Sequence, residues 1–104
     1  MLRIYPVILE MLRELRPVLA DVERHDRDLA RQLRRAASSV ALNVGEGMGS
    51  RAGHRTERYS TALGSARETV ACLDVAQALY DVAAGEGLRR RLDRIVGTLV
   101  RLAT

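Results

Sequence analysis

The sequence contains no lysine, no phenylalanine and no tryptophan, and only one cysteine. Each absence excludes a class of chemistry. Without lysine there is no phosphate-gripping lysine of a Walker P-loop and no Schiff-base nucleophile. A lone Cys72 excludes an intrachain disulfide and a cysteine-rich zinc module. Two histidines, His25 and His54, cannot make a three-histidine metal site within one chain. The only aromatics are Tyr5, Tyr59 and Tyr80, too few for a base-stacking reader of single strands. Long apolar runs are also missing, because Arg3, Glu10, Arg13, Glu14 and Arg16 interrupt the N-terminal stretch. No signal peptide or membrane span is expected there, so the expected setting is the cytoplasm. The apolar neighbours Ala71 and Leu73 predict a buried, unreactive thiol at Cys72.

What remains is 104 residues, a single domain spanning 1–104, with all 17 basic residues arginine. Against 13 acidic residues the net charge is +4. No period-2 pattern of strands appears, and the apolar residues recur at steps of three and four. In a first helix these are Ile4, Val7, Ile8, Met11, Leu12, Leu15, Val18, Leu19 and Val22. Pro6 suits a first turn, whereas Pro17 predicts a kink or break at Arg16. Asp26 or Asp28 can cap a second helix with the stripe Leu29, Leu33, Ala36, Ala37, Val40 and Val44. Gly45, Gly47 and Gly49 are expected to break it.

A third helix is predicted from about Thr56 to Ala84, at roughly 3.6 residues per turn. Its stripe is Tyr59, Ala62, Leu63, Ala66, Val70, Leu73, Ala76, Leu79 and Tyr80. The small residues Ala62, Gly64, Ser65 and Ala66 would let a neighbouring helix approach closely. After a turn at Ala84–Gly87, a fourth helix carries Leu88, Leu92, Ile95, Val96, Leu99 and Leu102. Four amphipathic helices with short connections predict an all-α, antiparallel up-down four-helix bundle. The broad stripe of helix one leaves spare apolar surface, which points to self-association, with a simply well-buried helix as the alternative.

Catalytic constellations are weak. Gly45-x-Gly47-x-Gly49 follows a helix rather than a strand and lacks the context of a nucleotide loop. Ser65 is not in a nucleophile elbow. Glu46 and Glu68 could face each other across two helices, but neither begins the Glu-x-x-His of a di-iron bundle. No enzyme activity, catalytic residue, metal or cofactor is expected. Asn43 borders the apolar stripe and Glu46 follows it. Their simplest role is to tie down the glycine turn or to bond the backbone of a neighbouring helix.

Charge patterning carries the functional signal. On a helical wheel Arg24, Arg27, Arg31, Arg34 and Arg35 fall within a sector of about 100°, roughly opposite the apolar stripe of helix two. Arg51, His54, Arg55 and Arg58 add charge around the next connection, and Arg89, Arg90, Arg91 and Arg94 form a third cluster. Guanidinium forks match phosphate geometry. Such a face predicts salt-sensitive, sequence-indifferent binding of RNA or DNA. A solvated helix face is the alternative reading of the same pattern.

The stretch Gln32–Gly49, with Asn43, Glu46, Gly47 and Gly49, resembles a known family, as does Ala62–Glu68 with Gly64, Ser65 and Glu68. It is similar to the four-helix-bundle proteins encoded in intervening sequences of bacterial large-subunit ribosomal RNA genes. These include the accessory variability determinant of diversity-generating retroelements. The similarity covers roughly residues 28–80. Gly45 stands where the family has Ala, and Arg58 where a Phe is usual. The resemblance implies a four-helix bundle that assembles as a ring-shaped homopentamer. In the retroelement relatives it implies a basic ring that binds nucleic acid and a reverse transcriptase. Asn43, Glu46, Gly47, Gly49, Gly64, Ser65 and Glu68 then become determinants of fold and assembly. Five copies at +4 each would carry a charge of about +20. The expectation is a non-enzymatic homo-oligomer binding RNA or DNA and acting as an adaptor for a reverse transcriptase or another partner. The alternative is an assembly module with no nucleic-acid role.

Overall fold

In the computed structural model, which describes residues 2–104, four helices account for nearly the whole chain. They are α1 (Ile4–His25), α2 (Arg27–Met48), α3 (Ala52–Tyr80) and α4 (Glu86–Leu102). No strand occurs among the described residues. Each helix packs against the next, and α1 closes against α4. The core is the set of stripes read from the sequence. Ile8, Met11, Leu15, Leu33, Val40, Val44, Leu73, Leu92, Ile95 and Leu99 are all buried. No helix is long and apolar enough to cross a membrane among these residues. Cys72 is buried, and desolvation followed by the nearby Glu68 charge pushes its thiol pKa up.

Several local expectations change. Pro17 does not break α1, which continues across it. Both Pro17 and Arg13, whose carbonyl loses its helical donor, are exposed, so water can replace the missing bond. The helix does stop at Asp26, one residue of extended backbone (φ −158°, ψ 100°) between α1 and α2. That carboxylate is the cap of α2, accepting from the Leu29 N–H at 2.9 Å, while Asp28 lies in the first turn. Arg24 therefore belongs to the end of α1, and not to the α2 wheel.

α2 ends within the glycine segment as expected, at Met48 with Gly49 as its cap, although Gly45 and Gly47 are themselves helical. α3 begins four residues earlier than Thr56 and ends at Tyr80. Its terminator is Asp81 at φ 59°, a left-handed position that closes the helix. Gln77 Nε2 donates to Asp81 Oδ1 at 2.8 Å, and the following Val82 is buried as a plug. Gly85 opens α4 at φ 89°, a backbone conformation available at low cost only to glycine.

The α1–α2 junction is tied to the far end of α3. Tyr80 OH donates to Asp26 Oδ2 at 2.7 Å, and the Tyr80 ring stacks on His25 with centroids 5.3 Å apart. The Leu29 N–H and then the Tyr80 hydroxyl hold the Asp26 pKa below its ordinary value. The same bond to Asp26 raises the Tyr80 pKa. A carboxylate with a depressed folded pKa adds stability above its unfolded pKa of about 3.9, and that stability is lost as pH falls through the folded value. A phenol with a raised folded pKa adds stability below its unfolded pKa of about 10, lost as pH rises through the folded value. Asp26→Asn should therefore lower the melting temperature at neutral pH and flatten its decline at acid pH. Thermal melts read by circular dichroism across the acid range check this. An acid limb as steep as wild type's would contradict it.

Candidate nucleic-acid interface

α2 and α3 make the most extensive helix pair. Small buried residues explain their closeness: Ala36, Ala37 and Ala41 on α2 meet a helix whose buried face includes Ala62 and Ala66. A polar ladder sits at the edge of this seam. Ser39 Oγ lies 2.7 Å from Ser65 Oγ, and Asn43 Nδ2 donates to Ser39 Oγ at 3.0 Å and to the Ser39 carbonyl at 2.9 Å. Asn43 thus bonds its own helix and reaches α3 through Ser39. Neither a neighbouring backbone nor the glycine turn takes its amide. The turn falls instead to Glu46, whose carbonyl accepts from Ser50 Oγ at 2.7 Å and the Gly49 N–H at 3.2 Å.

Gly47 has a specific reason to be glycine. A Cβ there would lie 2.5 Å from Tyr59 Cε1 and 2.9 Å from Cδ1. The Tyr59 ring therefore packs closely against the α2 backbone at Gly47, and it is buried. Gly64 differs, being exposed with nothing within 4 Å of a Cβ, so no helix of the same chain approaches it.

Four arginines, Arg27, Arg31, Arg34 and Arg35, occupy the outward face of α2, and all are exposed. Arg31 makes a loose 3.5 Å contact with Asp28, while Arg27, Arg34 and Arg35 make no ion pair among the described residues. Arg58 joins them from α3. It lines the same cleft as Arg34, Arg35, Leu42 and Asn43, and pairs with Glu46 at 3.0 Å across the hairpin. A second cleft continues along the seam from Arg35 and Ser39 to Arg31, Gln32 and Glu68. Glu46 and Glu68 border different clefts and form no shared carboxylate site.

The rest of the predicted set is dispersed. Arg24 is paired with Asp21 on α1. Arg51 precedes α3, and Arg55 donates to the Ser50 carbonyl at 3.0 Å and lines a different depression beside Met48 and Tyr59. The arginines gathered along the seam are therefore Arg31, Arg34, Arg35 and Arg58, with Arg27 one turn further along α2, and the carboxylates Asp28, Glu46 and Glu68 line the same clefts. Over α2 the guanidinium groups span about 12 Å of axis, at 1.5 Å per residue. Free guanidinium groups in such a row can contact successive phosphates with little reference to base identity. No three His, Cys, Asp or Glu side chains cluster as a metal site among the described residues.

Sequence reasoning missed Ser39 and Tyr59 as partners. Ser39 follows another serine on the stripe border, and only the pairing of α2 with α3 marks it out. The Gly47–Tyr59 contact left no periodic signal.

Residues 7–100 match the model of a protein family described as 23S rRNA-intervening sequence protein. Searches among curated proteins and solved structures returned no match.

Proposed function

Because the chain belongs to the 23S rRNA-intervening sequence protein family, we propose that it is a nucleic-acid-binding helical bundle without catalytic activity. In this reading it grips the phosphate backbone of structured RNA or DNA through the outward face of α2. The observation that carries the reading is the row Arg27, Arg31, Arg34 and Arg35, exposed, mostly unpaired, and extended across the seam by Arg58. The family's description names a ribosomal RNA. Titration of a structured RNA and a duplex DNA at several salt concentrations tests it. With about four phosphate contacts per protomer, log K against log salt for duplex DNA should fall with a slope of about −3.6. No binding at low salt would end the proposal.

A second observation supports self-association, with the ring-shaped homopentamer as the arrangement proposed. The outward side of α3 is apolar near its C-terminal end: Leu79, expected in the core, is 65% exposed and Val75 42%. Ala71 and Ala78 are exposed on the same helix. Such a face favours burial against another copy, and the bound partner of the assembly, a reverse transcriptase or another protein, belongs to the same proposal. Light scattering after size exclusion should give a mass near five protomers. A single monomer peak at all concentrations would overturn this. If the oligomer forms and no nucleic acid binds, the assembly-module reading replaces the first.

A further inference from the structure

We infer that α4 carries a second phosphate-binding face directed away from the first, so that one protomer can hold two nucleic-acid segments at once. The inference rests on the reading of α2 as a phosphate-binding surface.

The arginines of α4 divide into two groups. Arg89 pairs with Asp74 of α3 at 2.6 Å, and Arg91 pairs with Glu14 of α1. These two flank the buried stripe Leu88, Leu92, Ile95 and Leu99 and tie α4 to its neighbours. Arg90, Arg94 and Arg101 are exposed. On the wheel they fall within about 40° of one another, roughly opposite the buried stripe. Arg94 has no ion-pair partner among the described residues. The Arg90–Glu86 contact is 3.8 Å between two largely exposed side chains and leaves the guanidinium open to another ligand. Arg90, Arg94 and Gly87 line one shallow depression. Gly97 lies beside the row between Arg94 and Arg101, and a Cβ there would meet nothing within 4 Å. The fold does not require glycine at that position, and its absence of a side chain lets a bulky backbone approach α4 between the two arginines.

The placement of the helices turns this row into a separate face. α2 makes no contact with α4 among the described residues, whereas α1 and α3 each touch both. The two basic helices therefore occupy opposite corners of the bundle. Their outward faces point in opposing directions, with the body of the protein between them. One strand or duplex lying along α2 leaves the α4 face free, and charge complementarity suits that face to a second phosphate backbone.

A two-duplex capture assay tests the inference. A short biotinylated RNA duplex is immobilised, the full-length protein is added at low salt, and a fluorescent copy of the duplex follows. Wild type should retain the fluorescent duplex. In the background of Arg27→Glu/Arg31→Glu/Arg34→Glu, where no copy in an assembly offers its α2 face, the residual salt-sensitive binding of the duplex should fall about tenfold when Arg90→Glu/Arg94→Glu/Arg101→Glu is added. A neutral version, with all three changed to Gln, should fall between. All three sites are exposed, and helical circular dichroism verifies folding. If adding the α4 changes leaves that residual binding unchanged, the α4 face holds no phosphate backbone and the inference is overturned. Loss of binding to the first duplex by wild type itself would instead overturn the reading of α2, and this inference with it.

Discussion

Gly47→Ala should destabilise the protein by about 1–3 kcal/mol, although alanine is the better helix former. The new methyl would sit 2.5 Å from Tyr59 Cε1, well inside any tolerated contact. Tyr59 is buried at the α2–α3 seam, so moving the ring aside uncovers the core it packs on. Either Tyr59 leaves its pocket or the two helices separate, and both outcomes expose core. For a domain of this size the loss is a fall of about 4–20 °C in melting temperature. Two companions give the result its meaning. Gly64→Ala meets nothing within 4 Å, and the nearest atom to a Cβ at Gly45 is Tyr5 Cε1 at 3.8 Å. Both should raise stability by up to about 1 kcal/mol through helix propensity alone. Combining Gly47→Ala with Tyr59→Leu should cost less than the sum of the two, because the clash exists only when both groups are present. Full additivity, or a stabilised Gly47→Ala, would show that the close approach is not a constraint.

The second large effect is expected at the α2 surface. Arg27→Glu/Arg31→Glu/Arg34→Glu removes three phosphate contacts and places three negative charges on the same row. At about 1 kcal/mol for each solvent-screened contact, affinity should fall about 100-fold or more. Stability should barely move, since all three side chains are exposed and Arg31 alone has an ion-pair partner, at 3.5 Å. Changing the same residues to Lys preserves charge but not the bidentate fork, so binding should weaken only modestly and keep its salt dependence. Gel-shift or anisotropy titrations at matched salt measure all three proteins. An affinity unchanged by the Glu variant would exonerate this face.

The basic row was legible because it follows the helical period. Arg27, Arg31, Arg34 and Arg35 lie opposite an apolar stripe, and burial of that stripe turns them outward. Arg24 lies off the α2 wheel because a single extended residue at Asp26, which periodicity does not reveal, separates α1 from α2. Leu79 failed for a different reason. α3 is apolar on more than one side, so its pattern did not identify which apolar residues face the bundle. The glycines of α2 looked like terminators since isolated propensity disfavours glycine in a helix. Packing against Tyr59 reverses that preference at Gly47. Arg58 is a candidate from charge alone, and the folding of α3 back along α2 is what brings it beside Arg34 and Arg35 while Arg51 and Arg55 stay apart.

The four helices, most of the core and the polarity of the α2 face follow from the residue pattern alone. Each of these is written locally, in the spacing of apolar and charged residues along one helix. Tertiary structure alone decided which arginines remain available. Arg89 and Arg91 are held by Asp74 and Glu14 of other helices, while Arg90 and Arg94 on the same turns face outward. It also placed α2 and α4 at opposite corners, making two basic faces of one charge surplus. Ion pairs between helices and the order of helices around a bundle join residues far apart in the chain, and no local period records such contacts.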